Sequence, residues 1–214
     1  VNPFAESTAL AAPGTMAGRW CGTHRTGGAM YLPPHFAETD PGAIADIIEA
    51  APLACVVAQT EAGLVANHLP LLQGPQGVLI GHIAKANDMH RLISDGGEVL
   101  AIFRRDDAYV SPIFYPSKAE HHRHVPTWNY EVVHVQGRIG FQHDDHAKRA
   151  AVGLLTSRQE RRLNGDRAWR MADAPADYME AMLEGIVALR IKPGRVIGKA
   201  KRSQNRAARG RQGA

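Results

Sequence analysis

Cysteine is almost missing from this chain: of 214 residues only Cys21 and Cys55 carry a thiol. One lies in a Gly/Ala/Thr-rich stretch and the other inside the apolar run LACVVA, a pattern that builds neither a disulfide framework nor a cysteine metal centre. Cys55 reads as a small core residue. No apolar run approaches the roughly 20 residues of a membrane-crossing helix. No charged segment followed by an apolar stretch opens the chain, so the expected compartment is the cytoplasm. The common nucleotide and nucleophile signatures are missing too: there is no GxGxxG after a strand, no GxxxxGK[ST] and no GxSxG. Any phosphate must be held by scattered side chains instead of a glycine loop. Finally, no acid follows Glu184, whereas nine of the 25 Lys and Arg residues do, leaving 16 bases against 21 acids before it. A cationic end on an acidic body reads as a solvated tail or a contact for an anion or nucleic acid.

What is present suggests one domain. Residues 1–29 are rich in Ala, Gly and Thr without a sustained period and read as a disordered extension; the texture changes at Met30, which reads as a start. Asp40-Pro41 opens a helix through Ile44, Ile47 and Ile48. Two strands, LACVVAQ and LVANHLPLL, are joined by the turn TEAG, and GVLIGHIA is a third. NDMHRLIS is a short helix capped by Asn87, after which EVLAIF and AYVSPIFY read as two strands. The run from Tyr130 to Phe141 is the longest strand candidate. A helix from Asp144 to Leu163 places Ala147, Ala150, Ala151, Leu154 and Leu155 on one face. Another begins near Pro175 and buries Met179, Met182 and Leu183. IVALRIKPGRVIGKA is a last strand or strand pair bent at Pro193-Gly194. Many strands, few helices and mostly short links predict an α+β fold, an antiparallel barrel with peripheral helices, over a parallel βαβ sheet. Residues 30–214 form this single domain, ending in the basic tail.

Candidate chemistry is sparse. His121, His122 and His124 could ligate a metal, but neighbouring loop histidines point apart and no paired cysteine, HExxH or carboxylate spacing joins them; loop histidines are the favoured reading. His143-Asp-Asp-His146 reads the same way, since acids suit the first turn of a helix. His68 in NHLP and His82 in GHIA lie in apolar strands, where satisfied core histidines are common. GHIAKAN offers Lys85 and a helix start at Asn87 to an anion, although spacing alone favours an exposed lysine and an ordinary cap. Trp128, between Thr127 and Asn129, joins a broad apolar face to hydrogen-bonding neighbours, as a planar heteroaromatic ligand requires, or closes a barrel end.

MYLPPHF (30–36), NHLPLL (67–72), LIGHIAKAN (79–87), YVSPIFY (109–115), VPTWNYEVVHVQG (125–137), GIVALRI (185–191) and KRSQNR (201–206) occur in the order expected of PaiB-type proteins, FMN-binding negative transcriptional regulators of bacteria. The chain resembles them from residue 30 to about 206. The resemblance implies a six-stranded antiparallel FMN-binding split barrel that forms a homodimer with FMN between subunits. It assigns the phosphate to Lys85, with Lys201 or Arg206, and the ring to Thr127, Trp128 and Asn129. His68 and His82 would line the same cleft, with Asn87, Ser203 and Gln204 completing the motif set. Arg202 stands where the family pattern suggests a leucine-like residue. The HHRH stretch is no part of the motif. No general acid or base stands out, so an enzyme is the lesser expectation; the alternatives are a flavin reductase or pyridoxamine-phosphate-oxidase-like oxidoreductase, and haem binding through His68 or His82. DNA contact, if direct, falls to the basic C-terminal segment.

Overall fold

The computed structural model describes residues 30–115 and 124–204. Residues 1–29, His121, His122 and Arg206 lie outside them. Over the described residues seven strands follow one another as β1 (Ala37–Glu38), β2 (Leu53–Thr60), β3 (Gly63–Gln73), β4 (Leu79–Ala84), β5 (Glu98–Val110), β6 (Thr127–Gln142) and β7 (Ile186–Lys201). The sheet order is β1-β7-β4-β3-β2-β5-β6, and β6 pairs back onto β7, so six strands close into a ring in which every pairing is antiparallel. Among the described residues four α-helices decorate it: α1 (Pro41–Ala50), α2 (Met89–Leu92), α3 (Asp145–Asn164) and α4 (Ala176–Glu184). The expected α+β split barrel is the fold found.

Period-two alternation decides what faces inward. Ala54, Val56 and Ala58 of β2, Leu69 and Leu71 of β3, and Val99, Ala101 and Phe103 of β5 are all buried in one cluster. Val133, Val135 and Ile139 of β6 meet them from the other side, with Val187, Leu189 and Ile191 of β7. Ile47 and Ile48 of α1 and Met89 of α2 join the same cluster. Interior packing of this kind, at about 25 cal/mol per Å² of apolar surface removed from water, is what holds the ring closed.

Local chemistry fixes the connections. Asp40 accepts a hydrogen bond from Ala43 N–H (2.8 Å) and Pro41 occupies the first turn of α1. Asp144 caps α3 in the same way through Ala147 N–H (2.9 Å). The β2–β3 turn needs a left-handed residue, and Gly63 takes φ +101° there while Thr60 Oγ1 donates to its carbonyl. Where β6 and β7 shift register between Gln136 and Gly137, a Cβ on Gly137 would stand 2.5 Å from Lys192 O, so only glycine fits.

Several expectations need correction. EVLAIF and the AYV of AYVSPIFY form a single strand, β5, interrupted by a bulge between Arg104 and Asp107, because its pairing with β6 resumes at Asp107↔Tyr130; the rest, SPIFY, leaves the strand through a 3-10 turn at Pro112–Phe114. β6 starts three residues earlier than Tyr130 and so takes in Thr127, Trp128 and Asn129. Cys55 points away from the barrel interior and is half-buried. On α3, Leu154 is exposed, and on α4 so is Met182; the helices bury Ala147, Ala151 and Leu155, and Met179 and Leu183. The ring is also split. β2 pairs with β5 only across Leu100–Ile102, and β4 with β7 only as far as Ile191, so the remaining lengths of β5, β6 and β7 run on together, with β1 against Gly198 and Lys199.

Candidate functional site

The start of β6 and the end of β7 lie antiparallel, with Tyr130 opposite Lys201, and this register brings the TWN and KRSQ segments together. Lys201 Nζ donates to Thr127 Oγ1 and to Trp128 O (2.6 Å). Ser203 Oγ donates to Asn129 Oδ1 (3.0 Å) from a buried position with φ +60°. A non-glycine residue is strained in that left-handed backbone, and such residues concentrate at functional sites. Gln204 braces the turn, accepting from Arg202 N–H (2.7 Å) and donating to Ala200 O (2.5 Å). Arg202, where the resemblance leads to the expectation of a leucine-like residue, is exposed and pairs with Glu131, which also takes Arg105 (3.2 Å).

Beside this junction lies a notch of about 470 Å³ lined by Met30, Arg104, Asp107, Trp128, Tyr130, Val132 and His134. Four of these alternate along β6, so one strand face supplies an indole, a phenol, an aliphatic group and an imidazole. Trp128 is 52% exposed and stands edge-to-face with Tyr109 across the β5–β6 pair (5.7 Å between centroids, 68°). Lys199 is buried between the rings of Tyr31 and Tyr130 (5.5 and 5.2 Å) and donates to Tyr31 O (3.0 Å), which straps the Met30–Tyr31 segment over the notch. Burial, and then the Lys199 charge, hold the His134 imidazole below its ordinary pKa of 6.5, so it is neutral at pH 7. A second cavity of about 330 Å³ shares Asp107 and Tyr130 with the notch and adds Arg105, Asn129, Lys201 and Arg202.

The other expected residues lie elsewhere in the protomer. His68 is exposed on β3, opposite Cys55 of β2. His82 lies opposite Ala188 on the outer face of β4, with Nδ1 buried and without a partner among the described residues and its pKa lowered by burial. Neither is a barrel-core histidine. Lys85 follows β4, exposed and without an ion pair among the described residues; its N–H donates to Gly185 O (2.8 Å). Asn87 commits its side chain to Asn67 Oδ1 (2.9 Å) and Met89 N–H (2.9 Å), a structural role at the barrel end. None of these four lines either cavity. Of the histidine trio only His124 is described, stacked on Tyr115 at 4.7 Å. The residues missed in the sequence are Tyr130, His134, Arg104 and Asp107. The i, i+2 spacing from Trp128 through Tyr130 and Val132 to His134 is the signal that would have found the first two.

The notch suits a flavin in one respect and falls short in another. Its wall is aromatic and apolar with one neutral imidazole, as an isoalloxazine ring requires. Its one arginine is engaged, Arg104 with Asp107, and so are the arginines of the neighbouring cavity, Arg105 and Arg202 with Glu131. A phosphate therefore needs a cation from outside this set, and Lys85 is one with no carboxylate partner among the described residues. A family model described as "Putative FMN-binding domain" matches residues 30–195. The chain belongs to that family. This FMN-binding-domain protein is 27% identical over 180 residues to the PaiB protein of Bacillus subtilis (strain 168), "Protease synthase and sporulation protein PAI 2", with 83% of each chain covered. Among solved structures it is similar to the FAD and heme binding protein of Mycobacterium smegmatis (TM-score 0.56, 18% identity, 77% of this chain and 73% of that one). The flavocytochrome Anf3 of Azotobacter vinelandii is similar as well (TM-score 0.56, 14% identity, 78% and 69%).

Proposed function

We propose that this protein binds FMN non-covalently at the interface of a homodimer and acts as a flavin-binding regulator of the PaiB type. The carrying observation is the convergence of Thr127, Trp128 and Asn129 with Lys201, Ser203 and Gln204 beside the Trp128–Tyr130–His134 strip. The isoalloxazine ring lies against that strip. Thr127 held by Lys201, and Asn129 held by Ser203, fix the wall, and neutral His134 offers a hydrogen bond without a competing charge. Bound flavin supplies hydride and electron-transfer chemistry. The phosphate is met by Lys85 of the second copy, with Lys201 or Arg206, because a dianion needs two cationic contacts to offset its desolvation. The same second copy brings His68, exposed on the β2–β3 outer face, toward the cleft.

The dimer reading rests on the outer face of β2, β3 and β5. Leu53 and Leu64 are 62% and 74% exposed there, next to half-buried Cys55, Val57, Leu100 and Ile102. A contiguous apolar face of this kind marks an interaction surface. For the regulatory role, α3 and α4 are separated by residues 165–175, too long for the turn of a helix-turn-helix. We assign any direct DNA contact to the cationic stretch after Glu184, which makes it sequence-independent and steeply weakened by salt.

The absorption spectrum of freshly purified protein and its melting temperature with added FMN test the reading. A flavin spectrum, or a melting temperature that rises with FMN, is expected, since a ligand of the folded state stabilises it. Trp128→Ala should weaken FMN about 10- to 100-fold, corresponding to a loss of ~1–3 kcal/mol of aromatic stacking. Colourless protein indifferent to FMN would refute it. A Soret band would move the assignment to haem, and rapid NAD(P)H oxidation dependent on FMN to an oxidoreductase.

A further inference from the structure

Residues 158–170 carry five arginines against two acids, Glu160 and Asp166. The rest of residues 1–184 holds eleven basic against nineteen acidic residues, so this short segment is a cationic island on an acidic body. It folds around a cavity of about 590 Å³ between the second half of α3 and the adjoining segment 165–173. That volume lies within the range of small-molecule sites. Thr156, Ser157 and Arg161 line it from the helix, and Arg167, Trp169 and Arg170 from the segment.

The wall is held in place from within. Glu160 accepts from Trp169 N–H (3.0 Å) and Asn164 Nδ2 (2.7 Å), and these bonds keep its carboxyl below the usual carboxylate range. Arg170 is committed to Asp173, through its N–H (2.9 Å) and its guanidinium (3.1 Å). Arg161 and Arg167 have no ion-pair partner among the described residues, and neither hydroxyl, of Thr156 or Ser157, is hydrogen-bonded to protein there. Asp166 is the one remaining acid that lines the cavity. Two uncommitted guanidinium groups against one carboxylate leave a single net positive charge, beside a 41% exposed indole.

We propose that this cavity is a second ligand site, separate from the flavin notch, which takes a small aromatic carboxylate. Its anionic group sits on Arg161 and Arg167, whose planar forks match a carboxylate, and its ring lies against Trp169. One net positive charge favours a monoanion over a phosphate dianion. The inference stands whether or not FMN is the ligand of the notch.

Calorimetric titration of the full chain, with and without added FMN, uses benzoate as the probe, with cyclohexanecarboxylate and benzyl alcohol as controls. Saturable benzoate binding is expected, weaker for the alicyclic acid and absent for the alcohol. Arg161→Gln and Arg167→Gln should each weaken benzoate about tenfold or more, the effect of losing one charge-assisted hydrogen bond. Both side chains are exposed, so circular dichroism and the melting temperature of these variants should match the parent; Trp128→Phe should leave benzoate affinity unchanged. No saturation by about 10 mM benzoate, a Kd equivalent to under ~3 kcal/mol of binding, would overturn the proposal. So would affinity untouched in the double arginine variant, or lost in Trp128→Phe, which would put benzoate in the notch. Duplex DNA held by these arginines while benzoate is not bound would replace it with a nucleic-acid face.

Discussion

Two outer faces of the same barrel are built by the same alternation of side chains and end in opposite states. On β4 and β7, outward Ile80 and Ala188 are sealed by Ala147 and Ala151 of α3. On β2, β3 and β5, outward Leu53 and Leu64 have no helix above them among the described residues and remain largely exposed. The difference lies in the connections between strands. After β6 the chain supplies a 20-residue helix with small residues toward the sheet, whereas β2 and β3 are joined by a tight turn that carries no cover. The first face is finished within one chain; the second stays open among the described residues, which is the opening the proposed dimer would fill.

The sharpest way to break this contrast is Ala151→Asp, which buries a carboxylate beneath α3. It should cost on the order of 3 kcal/mol or more, visible as a lowered urea midpoint. Leu64→Asp makes the same chemical change on the uncovered face. Light scattering should show monomer in place of dimer and FMN affinity should fall, while monomer stability changes by no more than ~0.5 kcal/mol. Equal loss of stability in both variants would erase the distinction. Removing the α3 cap with Asp144→Ala should cost about 1 kcal/mol by urea unfolding and loosen only the covered face.

The smallest expected effect is with pH. His82 on the covered face and His134 in the notch both have pKa values below 6.5 in the folded chain. The unfolded chain then binds more protons as pH drops below 6.5, so this contribution to stability is complete above that pH and fades as acid reaches the folded values. His82→Gln and His134→Gln should each flatten the fall in melting temperature between pH 7 and pH 5.

Much of the barrel was legible, because apolar alternation in LACVVA, LIGHIA and VVHVQGRI encodes which side faces inward. The cap at Asp40 was legible from its own neighbours, and so was the helix start near Asp144, although its capping role was not. The β5 bulge was not: Arg104 to Asp107 reads as a break, and only the register with β6 shows the strand continuing. The site was half legible. TWN and KRSQ meet because β6 and β7 pair, a contact between residues some 70 positions apart that no local pattern announces. Asn87 reads as a ligand contact by motif position, yet its amide is consumed by Asn67 and Met89. Tyr130 and His134 were hidden inside a run that looked merely like strand.

Beyond Ile102, β5 is paired on one side only among the described residues, which leaves a row of backbone donors and acceptors facing solvent. Such rims recruit foreign strands and seed fibres. Here the rim runs through Arg104, Arg105, Asp106 and Asp107 and is buckled by the bulge. A zipper-like intruder would have to bury four charges and straighten a kink, so the interruption that disguised the strand also guards the protein against self-templated aggregation.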